Sequence, residues 1–179
     1  MCVTNQRDFA GETVVQAAKE MANAARTAPK AVGYDRLEIA LVQGDELEEL
    51  ALAMEKMHRE GRGGAHFVRD AGNVRASDCC LLIGTRTGPM PGGCAQCAMA
   101  GCGNRQGRAQ GFSCLYAVHD LGLAVGSAVS MAADKRVDNR VMFSAGAAAL
   151  ELGWLGQAGI AMGIPLSARG KSIYFDRRR

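Results

Sequence analysis

The chain is poor in several residue types, and each shortage removes a class of function. Aromatic residues make up 5% of its 179 positions, with a single tryptophan. The net charge is only +3, and the one basic run, Arg177-Arg178-Arg179, stands at the very end. Without a basic face interleaved with rings, nucleic-acid binding is not expected. No window holds the roughly 20 apolar residues of a membrane span, and the opening stretch 1–12 has no signal-peptide core. The expectation is a cytoplasmic chain, away from membranes, with reduced cysteines. Only three histidines occur, His58, His66 and His119, and none has a partner at a telling spacing. There is no H-E-x-x-H, no serine nucleophile elbow and no evident carboxylate pair, so hydrolase chemistry has no footing. A strand followed by G-x-G-x-x-G is missing, as is a Walker A sequence, so any nucleotide is held in another way.

What the chain does have is cysteine and glycine. Four of its seven cysteines, Cys94, Cys97, Cys102 and Cys114, fall in the glycine-rich stretch 89–114, separated by two, four and eleven residues. Neither helical nor strand periodicity runs through it, and a loop this long inside a compact domain is usually functional or disordered. Several soft, charged sulfurs suit a soft metal, and a C-x-x-C pair presents two of them from one turn. The glycines free the backbone to bring the other two inward. A closed tetrahedral zinc and an iron–sulfur cluster both fit, and the spacing does not choose between them. Disulfides, redox-active thiols and unliganded thiols are the other readings.

With 48% hydrophobic and 22% charged residues, the chain reads as one soluble globular domain over 1–179. Apolar spacing predicts an amphipathic helix over 11–26, with Val14, Ala18, Met21 and Ala25 on one stripe, ended by the turn before Pro29. Alternating Leu37, Ile39 and Leu41 predict a strand over 36–42. Asp45, with Glu48 three residues on, predicts a capping box for a helix that buries Leu47, Leu50, Ala51, Met54 and Met57 and stops at Gly61. Residues 66–69 read as a short strand or part of a loop. The run Cys79-Cys80-Leu81-Leu82-Ile83-Gly84 fits a buried central strand whose adjacent cysteines point to opposite faces as small core hydrophobes. A helix over 118–134 is rich in small residues, and Gly122 and Gly126 each cost it about 1 kcal/mol against alanine. Such a helix suits close approach, to the core or to a ligand or symmetry mate. Strands over 139–143 and 157–165 flank a short helix over 145–152. The order implies a mixed sheet covered by helices, α+β or three-layer α/β.

These residues also resemble a family. The order Arg26-Thr27-Ala28-Pro29-Lys30, then Cys94, Cys97 and Cys102, then Asp120-Leu121-Gly122-Leu123-Ala124-Val125-Gly126-Ser127-Ala128 is one part of the likeness. Val137-Asp138-Asn139-Arg140-Val141-Met142, Gly163-Ile164-Pro165-Leu166-Ser167, Lys171 and Tyr174-Phe175-Asp176-Arg177 complete it. Over nearly its whole length the chain resembles the prokaryotic ferredoxin-domain-containing proteins of uncharacterised function, which look like compact relatives of the FMN-dependent nitroreductases.

The resemblance implies a three-layer α/β/α nitroreductase-like fold with a mixed central sheet and a cysteine-rich insertion at 89–114. It implies an FMN-dependent oxidoreductase, and a homodimer, since nitroreductases complete their flavin site across a dimer interface. Arg26, Thr27, Ala28, Pro29 and Lys30 match the turn lying along the flavin ring and phosphate, with lysine where the family has serine. Phe143, Ser144, Ala145 and Gly146 match the turn against the pyrimidine edge, and Lys171 falls near the phosphate. The paired R-x-S-x-R arginines that open a nitroreductase are absent, which leaves Arg26, Lys30 and Lys171 as phosphate contacts. Electrons would pass to a small-molecule acceptor or a redox protein, with an iron–sulfur cluster as their entry port. Two other readings remain open: an electron-transfer protein centred on the cysteine cluster, and a zinc-stabilised binding module without redox activity.

Overall fold

The computed structural model describes residues 3–91, 94, 96 and 113–175. The chain opens with α1, Gln6–Thr27, whose start is a capping box: the Asn5 side chain accepts the Arg7 N–H at 3.0 Å, and Asp8 accepts the Asn5 N–H at 3.3 Å. This helix begins ahead of the expected start because its polar first turn adds nothing to the apolar stripe. After a one-turn 3-10 helix, Ala31–Gly33, come β1 (Leu37–Val42), α2 (Glu46–Arg59), α3 (His66–Arg75) and β2 (Cys79–Thr85). Beyond the cysteine stretch follow α4 (Leu115–Asp134), β3 (Asp138–Asn139), α5 (Phe143–Glu151) and β4 (Ile160–Ser167).

The strands pair in the order β1-β2-β4-β3. Every pairing among the described residues is antiparallel, so the sheet is not the mixed one expected. Leu37, Thr85 and Ile160 align at one end, and Val42, Cys80 and Pro165 at the other. Because side chains alternate along a strand, β2 feeds two cores. Cys79, Leu81 and Ile83 pack with α1 and α4 on one face, whereas Cys80 and Leu82 pack with α2, α3 and α5 on the other. Both cysteines are fully buried, as the sequence implies, and burial pushes the Cys79 thiol up to about 12. Burying each of Leu81, Leu82 and Ile83 contributes about 1.5–3 kcal/mol.

Several local expectations are corrected. Asp45 makes no side-chain cap; the chain enters α2 through Gly44 at φ +66°, and backbone carbonyls of Gly44 and Asp45 accept the first amides. Residues 66–69 are the start of α3, whose buried Phe67, Ala71 and Val74 keep helical spacing. The expected strand over 139–143 shrinks to β3, a bridge from Met142 to Gly163, and the first residue of α5. The final strand lies two to three residues later than expected.

α1 and α4 pack through small residues, including Ala18, Ala25, Ala124 and Ala128, and the Ser127 hydroxyl donates to the Ala24 carbonyl at 2.9 Å. Gly122 and Gly126 take no part in that contact, since a Cβ at either would meet nothing within 4 Å. Against the expectation that no window reaches the apolarity of a membrane span, α4 is long and apolar enough to cross one by length and composition; in the structure it forms a layer of the fold with α1. Arg62, reaching Glu151, and Arg75, on Glu48 at 2.7 Å and Glu55 at 2.5 Å, tie the outer ends of α2, α3 and α5.

Candidate redox site at the head of α4

The cysteine stretch leaves the end of the sheet marked by Thr85 and returns to the chain at Cys114, which opens α4. The Cys114 amide donates to the Thr87 carbonyl at 3.1 Å, so both ends of the stretch meet at one point. Cys94 packs against the small cluster of Met90, Cys114 and Ala117. Two of the four predicted metal ligands thus share one apolar nest. Cys97 and Cys102 lie outside the described residues.

The surroundings of the Cys114 sulfur make its ionisation easier than that of an ordinary thiol. Burial opposes ionisation, but the Ala117 and Tyr116 amides at the start of α4, and the Arg36 guanidinium, outweigh it and bring the thiol below its usual range. Arg36 is only 4% exposed. Its Nη1 donates to the Gly88 carbonyl at 2.7 Å, its Nη2 lies 3.9 Å from the Cys114 sulfur, and its guanidinium stands over the Tyr34 ring. Among the described residues it forms no ion pair with a carboxylate, and its Nε has no partner. A buried cation without a carboxylate requires another negative charge close by. A thiolate at Cys114, bare or ligating a metal, would supply it, so the donor set and its surroundings fit a soft-metal or iron–sulfur centre.

Asp120, one turn further along α4, is buried, and both its oxygens lie 3.2 Å from the Ala31 amide; His119 Nδ1 stands 3.3 Å from Oδ1. The next residue, Val32, has φ +51°, a left-handed conformation that is strained for a β-branched side chain. Asp120 therefore clamps a strained turn onto the head of α4. Asp120→Ala should lower stability by about 1–3 kcal/mol, the loss of a charge-assisted hydrogen bond to a part-buried amide, read as a drop of several degrees in thermal unfolding; an unchanged midpoint would show that the clamp carries no load.

The residues assigned to flavin fall in three places. In the turn 26–30, Arg26 donates to Asp35 at 2.8 Å and to the Leu37 carbonyl at 2.9 Å, Thr27 donates to the Asn23 carbonyl, Ala28 is buried and Pro29 is exposed. Lys30 folds back onto the Arg26 and Ala28 carbonyls at the end of α1. Phe143 to Gly146 lie on the opposite face of the sheet. Phe143 is 57% exposed, with its ring near His66 and Phe67. Ser144, Ala145 and Gly146 are core residues: the Ser144 hydroxyl donates to Asp70 at 2.7 Å, and Gly146 lies against the β4 backbone. Lys171 follows β4 at the far end of the sheet, where Tyr174 bonds Ser77 at 3.0 Å. Among the described residues these groups stand in three separate parts of the protomer. Arg36 escapes sequence reading, because an arginine beside a strand carries no sign of its burial.

Known structures share this architecture. A nitroreductase with bound FMN from Desulfitobacterium hafniense DCB-2 superposes with a TM-score of 0.60 at 13% identity, covering 88% of this chain and 79% of that one. A BluB-like flavoprotein from Clostridium difficile 630 gives 0.57 at 12% identity, over 100% of this chain and 87% of that one. A nitroreductase family protein from Clostridium novyi NT gives 0.54 at 15% identity, over 90% and 76%. The fold is that of the nitroreductases. Residues 110–177 match the family described as uncharacterized protein containing a ferredoxin domain (DUF2148). An uncharacterized protein of Archaeoglobus fulgidus is 44% identical over 97% of this chain and 96% of its own length. The chain belongs to that ferredoxin-domain family.

Proposed function

We propose that the protein is an FMN-binding oxidoreductase of nitroreductase type that holds an iron–sulfur cluster at Cys94, Cys97, Cys102 and Cys114 and passes electrons to a small-molecule acceptor or redox protein. The observation that carries this reading is the nest at the head of α4, where two loop thiols and a carboxylate-free buried arginine meet inside a nitroreductase fold. The FMN-bound structural relative and the ferredoxin-domain family support the two cofactors separately. Flavin and cluster would supply hydride and single-electron transfer; the protein places them and sets their potentials through hydrogen bonds and charge. Here Arg36 supplies the positive charge beside the sulfur, and Asp120 holds the turn 26–30 in position. The test is the absorption spectrum of anaerobically purified protein, with an FMN assay after heat release. About one FMN per chain and a residual broad brown absorption support both cofactors. A colourless protein unfolded by chelators sinks the redox reading and leaves a zinc clamp.

The division of the flavin candidates among three places in one protomer supports the reading that the flavin site is completed in a homodimer. α4 offers the face for it: Leu115 is 50% and Val118 45% exposed, and the open surfaces of Gly122 and Gly126 lie beside them. A Cβ at Gly126 would meet nothing within 4 Å among the described residues, so the Gly126→Glu variant should fold. It should convert a dimer to a monomer on size-exclusion chromatography and release the FMN. A dimer that persists with flavin bound would place the interface elsewhere.

A further inference from the structure

Around the corner from the sulfur nest, at the same end of the sheet, lies a cleft of about 450 Å³ lined by Tyr34, Arg36, Arg86, Thr87, Gly88, Pro89 and Gln157. No carboxylate lines it. Its two arginines come from neighbouring chain ends: Arg36 precedes β1, Arg86 follows β2, and the Arg86 amide donates to the Arg36 carbonyl at 3.1 Å. Strand pairing therefore sets the two arginine side chains out from neighbouring points of the backbone into one cleft. Neither is fully engaged. Arg36 spends Nη1 on Gly88 and turns Nη2 to the Cys114 sulfur, and Arg86 donates Nη2 to the Asp35 carbonyl at 3.2 Å. Nε of both lacks a hydrogen-bond partner, though each is closed off from solvent. The acids close by do not neutralise the pair. Asp35 is taken by Arg26 at 2.8 Å, and Glu38 stands 3.7 Å from Arg86 Nε, a half-exposed contact of little worth. Two guanidinium groups not saturated by hydrogen bonds, beside a side-chain amide and with Glu38 the one acid in weak contact, make an arrangement suited to phosphate and carboxylate.

We propose that this cleft is an oxyanion-binding site, taking a phosphate or carboxylate group held between Arg36 and Arg86. The inference goes beyond the redox reading, and the cleft keeps its chemistry with or without a flavin. Two sources offer the same group: the phosphate of a flavin nucleotide, and a separate anionic small molecule presented next to the sulfur nest. The first would supply the phosphate contacts left open by the missing R-x-S-x-R arginines.

The experiment follows thermal unfolding of the full chain as inorganic phosphate or malonate is added, in wild type, Arg86→Gln and Arg169→Gln. Arg86 is half-exposed, and its replacement leaves the Arg36 contacts to Gly88 and Cys114 intact, so the variant folds; circular dichroism checks this. Arg169, at the far end of the sheet, controls for general charge. The expected result is stabilisation of wild type by at least one of the two anions. Arg86→Gln should need about tenfold more of it, the loss of one charge-assisted contact, and Arg169→Gln should behave as wild type. No stabilisation of wild type by either anion, or an equal response in wild type and Arg86→Gln, overturns the proposal. Titrations with FMN and riboflavin then separate the sources. If FMN binds more tightly than riboflavin and Arg86→Gln removes the difference, the oxyanion is the flavin's own. If the difference survives while the anion response is lost, the oxyanion belongs to a separate ligand. If no flavin binds at all, the flavin reading fails and the anion response still decides the cleft.

Discussion

Gly146→Ala is expected to destabilise the protein by about 3 kcal/mol or more, lowering the unfolding midpoint by on the order of 10 °C. The Cβ would stand 2.1 Å from the Ala161 oxygen, 2.4 Å from its carbonyl carbon and 2.7 Å from the Met162 nitrogen. All three are backbone atoms of β4, which is held on both sides by β2 and by the Met142 bridge, so the strand cannot withdraw. α5 lies this close because Gly163 answers from the strand, with the Ala145 Cβ 2.6 Å from where its own Cβ would be. Gly126→Ala is the natural comparison. That position is open, and alanine there should stabilise the helix by up to about 1 kcal/mol. A Gly146→Ala protein melting within two or three degrees of wild type would show that α5 can lift from the sheet.

Cys114→Ser is expected to abolish the broad visible absorption and the acid-labile sulfide while leaving the fold intact. Serine is nearly the size of cysteine and suits the position before a helix, so α4 should still start there. The change removes one soft ligand and the negative charge that Arg36 faces. Cys80→Ser is the control. It buries a hydroxyl among Leu82, Met54 and Ala145, so it should cost stability and leave the chromophore untouched. Full colour and sulfide in Cys114→Ser would remove Cys114 from the ligand set.

The elements legible in the sequence were those with a long, uninterrupted pattern. The stripes of α1 and α2 and the apolar run of β2 each name a buried face, and the structure buries those faces. α3 was lost because its ten residues carry just three apolar anchors with a glycine between them, too few to separate a helix from a loop. The glycines of α4 suggested tight packing, yet it is alanines that touch the core, since composition does not say which side of a helix faces inward. At the candidate site, Cys94 and Cys114 were visible from spacing and do lie in one nest. Arg36 and Arg86 were not, because they are brought together by strand pairing between segments about 50 residues apart. Asp120 was visible only as part of a family pattern, and its partner, the Ala31 amide, carries no side-chain signal at all.

The two thiols of β2 give this molecule an internal clock. Cys79 and Cys80 face opposite cores, cannot join to each other along an extended strand, and burial holds both far from the reactive thiolate form. An alkylating reagent reaches them only when the central strand separates from its neighbours. Their labelling rate in native buffer therefore counts whole-domain openings, whatever the cysteine stretch is doing, and the ratio of the two rates reports whether the helical layers on either side come away together or one before the other.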